Sequence, residues 1–149
     1  MSTRRALRLL DIPQIDDEHR EIIKAILKFR AHIVAGKGWL EQYSVMDELE
    51  QKVQLHFRVE EHLMQIYRYP NMEKHVFEHG EYSCLLREVK ERLLRQPPTT
   101  VTADFLLNWW FQHISDFDQG YADWFSKMLS RLEIHSRNAQ NENAMGSGI

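Results

Sequence analysis

The sequence predicts an all-α fold, an up-down-up-down four-helix bundle with a short C-terminal helical extension, on three observations. Apolar residues recur at spacings of three and four along four long segments. Glycine and proline fall between those segments, at Gly36, Gly38, Pro70, Pro97 and Pro98. No alternating strand pattern, internal repeat or phosphate-cradling glycine loop competes, and long helices joined by short loops pack as antiparallel neighbours.

The first helix spans about 17–36, with Asp16 or Asp17 as its N-cap and Ile22, Ile23, Ile26 and Ile33 following His19 on one stripe. The second, about 42–69, carries Leu49, Val53, His56, Glu60, Leu63 and Tyr67 in steps of three and four. Met72, His75, His79, Tyr82, Leu86, Val89 and Leu93 form the third stripe, which Gln96-Pro97-Pro98 stops. The fourth opens at Thr99, Thr100 or Thr102 and runs through Leu106, Trp109 and His113 to Phe117, where Gly120 weakens continuation. Tyr121, Trp124, Phe125, Met128 and Leu132 then mark the shorter extension.

A chain of 149 residues is one domain, and 43% hydrophobic with 28% charged residues is the balance of a folded protein. The domain is assigned to residues 1–136, and the polar run 137–149 is expected to be disordered. A net charge of −3 without any Lys/Arg block argues against nucleic acid as a partner. Arg8 interrupts the apolar run Leu7, Leu9 and Leu10, and no later stretch is long enough for a membrane span, so a cytoplasmic protein is expected. Cys84 is the single cysteine, which rules out an intrachain disulfide or a thiolate metal cage and leaves it as a small buried or half-buried residue.

Histidine is the anomaly. Five of the eight, His19, His56, His75, His79 and His113, stand in core registers, at least one on each helix, with Glu60 on the same faces. His32, His62 and His135 fall off the stripes and are read as solvated, as are Glu61 and Glu78. One histidine on an apolar face is commonly a satisfied core residue. Five imidazoles and a carboxylate in one core cost ~1–3 kcal/mol each without partners, so they require a compensating centre, and a metal supplies it. The i,i+4 pairs His56/Glu60 and His75/His79 set donors one turn apart, as chelating helical pairs do. Five histidines and a carboxylate overfill a single zinc site, so two ions are the better fit, and imidazole with carboxylate suits iron.

The motifs I-D-D-E-H (15–19), H-F-R-V-E-E-H-L-M (56–64), H-V-F-E-H (75–79) and W-W-F-Q-H-I-S-D-F-D-Q-G-Y (109–121) together resemble the hemerythrin family, specifically its single-domain bacterial members, over about residues 10–130. The resemblance implies two iron ions with an oxo or hydroxo bridge. It implies His75, His79 and His113 on one iron, His19 and His56 on the other, and Glu60 and Asp118 across both. The second iron then has one open position, where dioxygen, or another small diatomic or anionic ligand, binds.

Spacing alone favours Asp116, at i+3 from His113, over Asp118 at i+5; the family pattern favours Asp118, reached through a local unwinding or π-bulge near Gly120. Phe57, Trp109 and Ile114 are expected to keep the ligand pocket dry or simply to pack. Trp110 replaces the aliphatic residue usual in the family and, if inward, narrows that pocket. The family pattern also has a Trp well before the first histidine, Gly at position 11 and Gln at position 18, where this chain has Asp11 and Glu18.

The first functional reading is therefore a non-haem di-iron protein binding dioxygen reversibly for storage, delivery or sensing. The alternative is a di-iron oxidase or an enzyme handling peroxide or nitric oxide at the same centre. A module with a structural metal and an unidentified protein partner is the third.

Overall fold

The computed structural model describes Leu7 and residues 9–146. Its elements are α1 (Pro13–Val34), α2 (Trp39–Ile66), α3 (Met72–Leu93), α4 (Thr100–His113), a π-helical turn (Ile114–Asp118) and α5 (Gln119–Gly146). α1 packs on α2 and α4, and α2 packs on α3, in the expected bundle. No helix among the described residues is long and apolar enough to cross a membrane.

The helix starts differ from expectation for local reasons. α1 begins at Pro13, whose fixed φ suits the first helical position, so neither Asp16 nor Asp17 is the cap. The buried Asp16 instead turns its carboxylate back to accept the Leu10 N–H at 2.8 Å. Asp11, just upstream, sits at φ 60°, a left-handed backbone where Asp is tolerated and Gly is at ease. α2 begins at Trp39 because Gly38 N–H donates to the Glu41 carboxylate three residues on, half of a capping box. Thr99 does occupy the cap position of α4, without a side-chain cap bond.

Both α1 and α2 end in the same motif, in which a left-handed residue folds two amides back on the last turn. In α1 it is Gly36 (φ 64°), with Lys37 N–H on His32 C=O and Gly36 N–H on Ile33 C=O. In α2 it is Arg68 (φ 51°), with Tyr69 N–H on Met64 C=O and Arg68 N–H on Gln65 C=O. That motif, backed by Pro70, ends α2 at Ile66 rather than at 69.

The C-terminal element is longer than expected. Gly120 does not stop the fourth rod, and its missing side chain lets the Tyr69 hydroxyl approach to 2.6 Å from where a Cβ would lie. The polar segment from 137 continues α5 as helix to Gly146, since no proline and no glycine between 137 and 146 interrupts propagation. Residues 147–149 lie outside the described residues. Cys84 is exposed rather than buried.

Antiparallel packing sorts the core into two storeys. Ile22, Ile26 and Phe29 of α1 meet Met46, Leu49 and Val53 of α2, Leu86 of α3 and Leu106 of α4 in a dry apolar storey, each at most 1% exposed. His19 precedes this run in α1 and His56 follows it in α2; His79 precedes it in α3 and His113 follows it in α4. All the stripe histidines therefore reach one end of the bundle, with the apolar storey bracing the other. Lys90, of which only 13% of the side chain is exposed, ties α3 to α2 through Asp47 and Glu50, each at 2.7 Å.

Arg68 holds a backbone conformation that costs an L-residue with a side chain ~1–2 kcal/mol, offset in part by the greater unfolded-state freedom of glycine. Arg68→Gly is expected to raise stability by about 0.5–1 kcal/mol, read as a higher urea midpoint at unchanged slope.

Candidate metal centre

Each of the four rods brings candidate donor atoms to one end of the bundle. α1 provides His19, α2 provides His56 and Glu60, α3 provides His75 and His79, and the fourth rod provides His113 and Asp118. All seven are at most 2% exposed. Two groups form, one of His75, His79 and His113, the other of His19 and His56, and both include Glu60 and Asp118. Within each, one ligand atom per residue lies within 4.8 Å of the others.

The two carboxylates span the groups. Asp118 places Oδ1 3.0 Å from both His75 Nε2 and His113 Nε2, and Oδ2 3.0 Å from His19 Nε2. Glu60 places Oε2 3.2 Å from His79 Nε2 and Oε1 3.3 Å from His56 Nε2. All five Nε2 atoms, both Asp118 oxygens and Glu60 Oε2 nevertheless make no hydrogen bond among the described residues. These lone-pair atoms converge without alignment to one another, the arrangement that suits a shared cation and fits the imidazole-carboxylate chemistry of a metal site.

Asp118 arrives inward because the helix changes pitch. In a regular helix i+5 lies about 140° away from His113. The π-helical turn Ile114–Asp118 takes up an extra residue, so Asp118 turns into the core while Asp116 faces solvent.

Two outer acids orient imidazoles. His56 Nδ1–H donates to Glu18 at 2.7 Å and His79 Nδ1–H to Glu61 at 2.8 Å, which leaves each Nε2 lone pair free to face inward. Glu61 is thus not a merely solvated acid. Its position one residue after Glu60 gave no periodic signal, and the contact depends on the α2–α3 packing distance. Glu18, next to His19, was visible only as a departure from the family pattern. Tyr121, three residues past the end of the pitch change, donates its hydroxyl to Glu60 Oε1 at 3.1 Å. Of the off-stripe histidines, His62 and His135 are exposed, while His32 is partly buried.

Aromatic rings wall the site. Phe57 stacks on His79 at 3.7 Å, and His113 lies between Trp109 at 4.6 Å and Phe117 at 5.4 Å. Ile114 is buried in the π-helical turn. A surface cleft of about 320 Å³ between α2 and α3 reaches Phe57 and His79, with Arg58 and Glu61 on its rim. Trp110 points inward, is wholly buried, and its ring lies 5.8 Å from that of His19 and 5.6 Å from that of His56.

The charges compensate one another. For His56 the largest effect is burial, which lowers its pKa, but the Glu60 charge and the hydrogen bond to Glu18 outweigh it and hold it up at about 10. Burial pushes Asp118 up, yet the imidazoles of His113, His19 and His75 hold it well below the usual carboxylate range. Glu60 is likewise lowered, against burial and the Asp118 charge, chiefly by His56. Burial and the Glu60 charge raise Tyr121, which stays a donor.

The hemerythrin HHE cation binding domain matches residues 10–125 of this sequence. The chain belongs to the hemerythrin family. No curated protein and no solved structure matches it significantly. A hemerythrin domain binds metal cations, and the seven-residue cluster is where this one could hold them.

Because an ion that binds only the folded cluster adds ~2.7 kcal/mol of stability at a hundred times its Kd, metal saturation is expected to raise Tm by several degrees and chelation to reverse it, as calorimetry would show. Glu61→Ala, which removes the acceptor from His79 Nδ1–H, is expected to weaken metal binding about 10- to 100-fold in competition with a chromophoric chelator.

Proposed function

We propose that this hemerythrin domain holds two iron ions under an oxo or hydroxo bridge and binds dioxygen, or another small diatomic or anionic ligand, reversibly on the His19/His56 side. The observation that carries this reading is the inequality of the two donor groups. One has three imidazoles and two carboxylates, the other two imidazoles and the same two carboxylates. With a bridge counted for each, the first sums to six donors and the second to five, which leaves one position for an exogenous ligand.

Iron supplies the chemistry that side chains lack, reversible electron donation to dioxygen. The chain supplies everything around it. His75, His79 and His113 would hold one ion, His19 and His56 the other, and Glu60 and Asp118 would offer one oxygen to each. Glu18 and Glu61 fix the tautomers of His56 and His79, and Tyr121 fixes the Glu60 carboxylate. Phe57, Trp109, Trp110 and Ile114 exclude water and protons from the ligand.

The balance of five imidazoles to two carboxylates also favours carriage over turnover. Anionic oxygen donors stabilise the more highly charged states of a metal, and bundle oxidases accordingly recruit several Glu ligands with Glu-x-x-His repeats. We also place the protein in the cytoplasm, where its single exposed cysteine fits a reducing compartment.

Reduced, iron-loaded protein is expected to contain two irons per chain, to gain a visible absorption band in air and to lose it when the gas is removed. Irreversible bleaching with peroxide release would assign the centre to an oxidase instead. His56→Ala is expected to abolish the band and weaken iron on its side, whereas exposed His62→Ala does neither. Normal oxygenation by the His56 variant refutes the assignment.

A further inference from the structure

Among the orphaned polar atoms at the centre, the Nδ1 of His19, His75 and His113 and the indole Nε1 of Trp110 are not explained by a metal on the Nε2 atoms, and of these only the indole has no lone pair to offer in any state. Trp110 is the largest side chain that is fully buried, and its indole Nε1–H has no acceptor among the described residues. The histidine Nε2 atoms and the carboxylate oxygens have lone pairs to give to a cation. An indole N–H is a donor only, and no cation satisfies it. Buried donors are paired in the great majority of proteins, so this one calls for an acceptor that the polypeptide does not provide.

Its place narrows what that acceptor is. The indole meets the rings of His19 and His56 in T-shaped contacts, with Phe57 at 5.8 Å and His113 at 6.1 Å also on the side of the centre and Tyr82 at 5.5 Å and Trp109 at 5.9 Å beyond it. The rings of His19 and His56, which belong to the group that is one donor short, are among the indole's neighbours, so a ligand held there is within reach of it. An aliphatic side chain here would offer a ligand only apolar contact.

We infer that Trp110 Nε1–H is a hydrogen-bond donor to the exogenous ligand on the His19/His56 side and biases that position toward small anions and toward ligands that gain negative charge on binding. The inference rests on the proposed iron pair and adds to it a specificity residue that the ligand set does not contain. A hydrogen bond to a charged acceptor is stronger than one to a neutral acceptor, so azide shows the effect most clearly.

The test uses the whole iron-loaded, oxidised protein, with iron counted before azide is titrated by absorption. Trp110→Phe keeps an aromatic ring and deletes the N–H; it is expected to raise the azide Kd about tenfold, equivalent to 1.4 kcal/mol, with faster release and two irons retained. Trp39→Phe, at the opposite end of the bundle, leaves the Kd unchanged. In the wild type, azide is expected to shift the ultraviolet resonance Raman band that reports indole N–H hydrogen bonding, a measurement that decides the matter alone if Trp110→Phe does not fold. An unchanged Kd in Trp110→Phe, an unmoved indole band, or a wild-type iron pair that binds no azide overturns the role of Trp110 and leaves the iron pair standing. A protein that takes up no iron pair overturns both, and the iron count shows which has failed.

Discussion

Seven ionisable side chains buried in one layer need positive charge among them, and the rest of the chain is arranged around that requirement. The Glu60 charge and the Glu18 carboxylate answer it in part by holding the pKa of His56 up. A metal ion meets it better because it serves several lone pairs at once. Helix register, the pitch change before α5 and the outer acids all serve to bring those lone pairs together without pairing them off against one another.

The bundle separates the work of folding from the work of binding. The apolar storey of Ile22, Ile26, Phe29, Leu49, Val53, Leu86 and Leu106 contributes burial and no polar cost. In the polar storey next to it the imidazoles meet edge to face, as His19 does His56 at 4.7 Å and His75 does His79 at 4.6 Å, and are fixed further by aromatic stacking and by carboxylates. His113 is clamped between two aromatic faces, whereas His56 and His79 are steered by acids that are themselves partly exposed. Solvent therefore reaches the periphery of the centre through Glu18 and Glu61 while the inward-facing donor atoms stay dry.

Periodicity made most of this legible in advance. A core position occupied by histidine announces itself against leucine and isoleucine neighbours, so His19, His56, His75, His79, His113 and Glu60 could be picked out from spacing alone. Asp118 could not, because regular helical geometry points to Asp116, and only the family pattern favoured the residue that the structure turns inward. Glu61 was misread because its partner lies on another helix and no local spacing encodes that contact. The stripe of threes and fours put Trp109 in the core with Leu106 and His113, and the structure corrects it. Adjacent positions differ by one helical step, and the outcome, with Trp110 wholly buried and Trp109 partly so, depends on how α4 is rotated against its neighbours. The start of α1 was missed because Pro13 outweighed the two aspartates that follow it.

The π-helical turn has a reach beyond the carboxylate it delivers. Each residue of an α-helix advances about 100°, so a single surplus residue re-clocks everything downstream by about that angle. The hydroxyl of Tyr121 on Glu60, the indole of Trp124 on the Tyr67 carbonyl and the ring of Phe125 against Tyr67 all lie after that surplus and depend on it. A one-residue deletion anywhere in Ile114–Asp118 would therefore act as a phase error, leaving a perfectly good helix that presents the wrong face of α5 to the bundle.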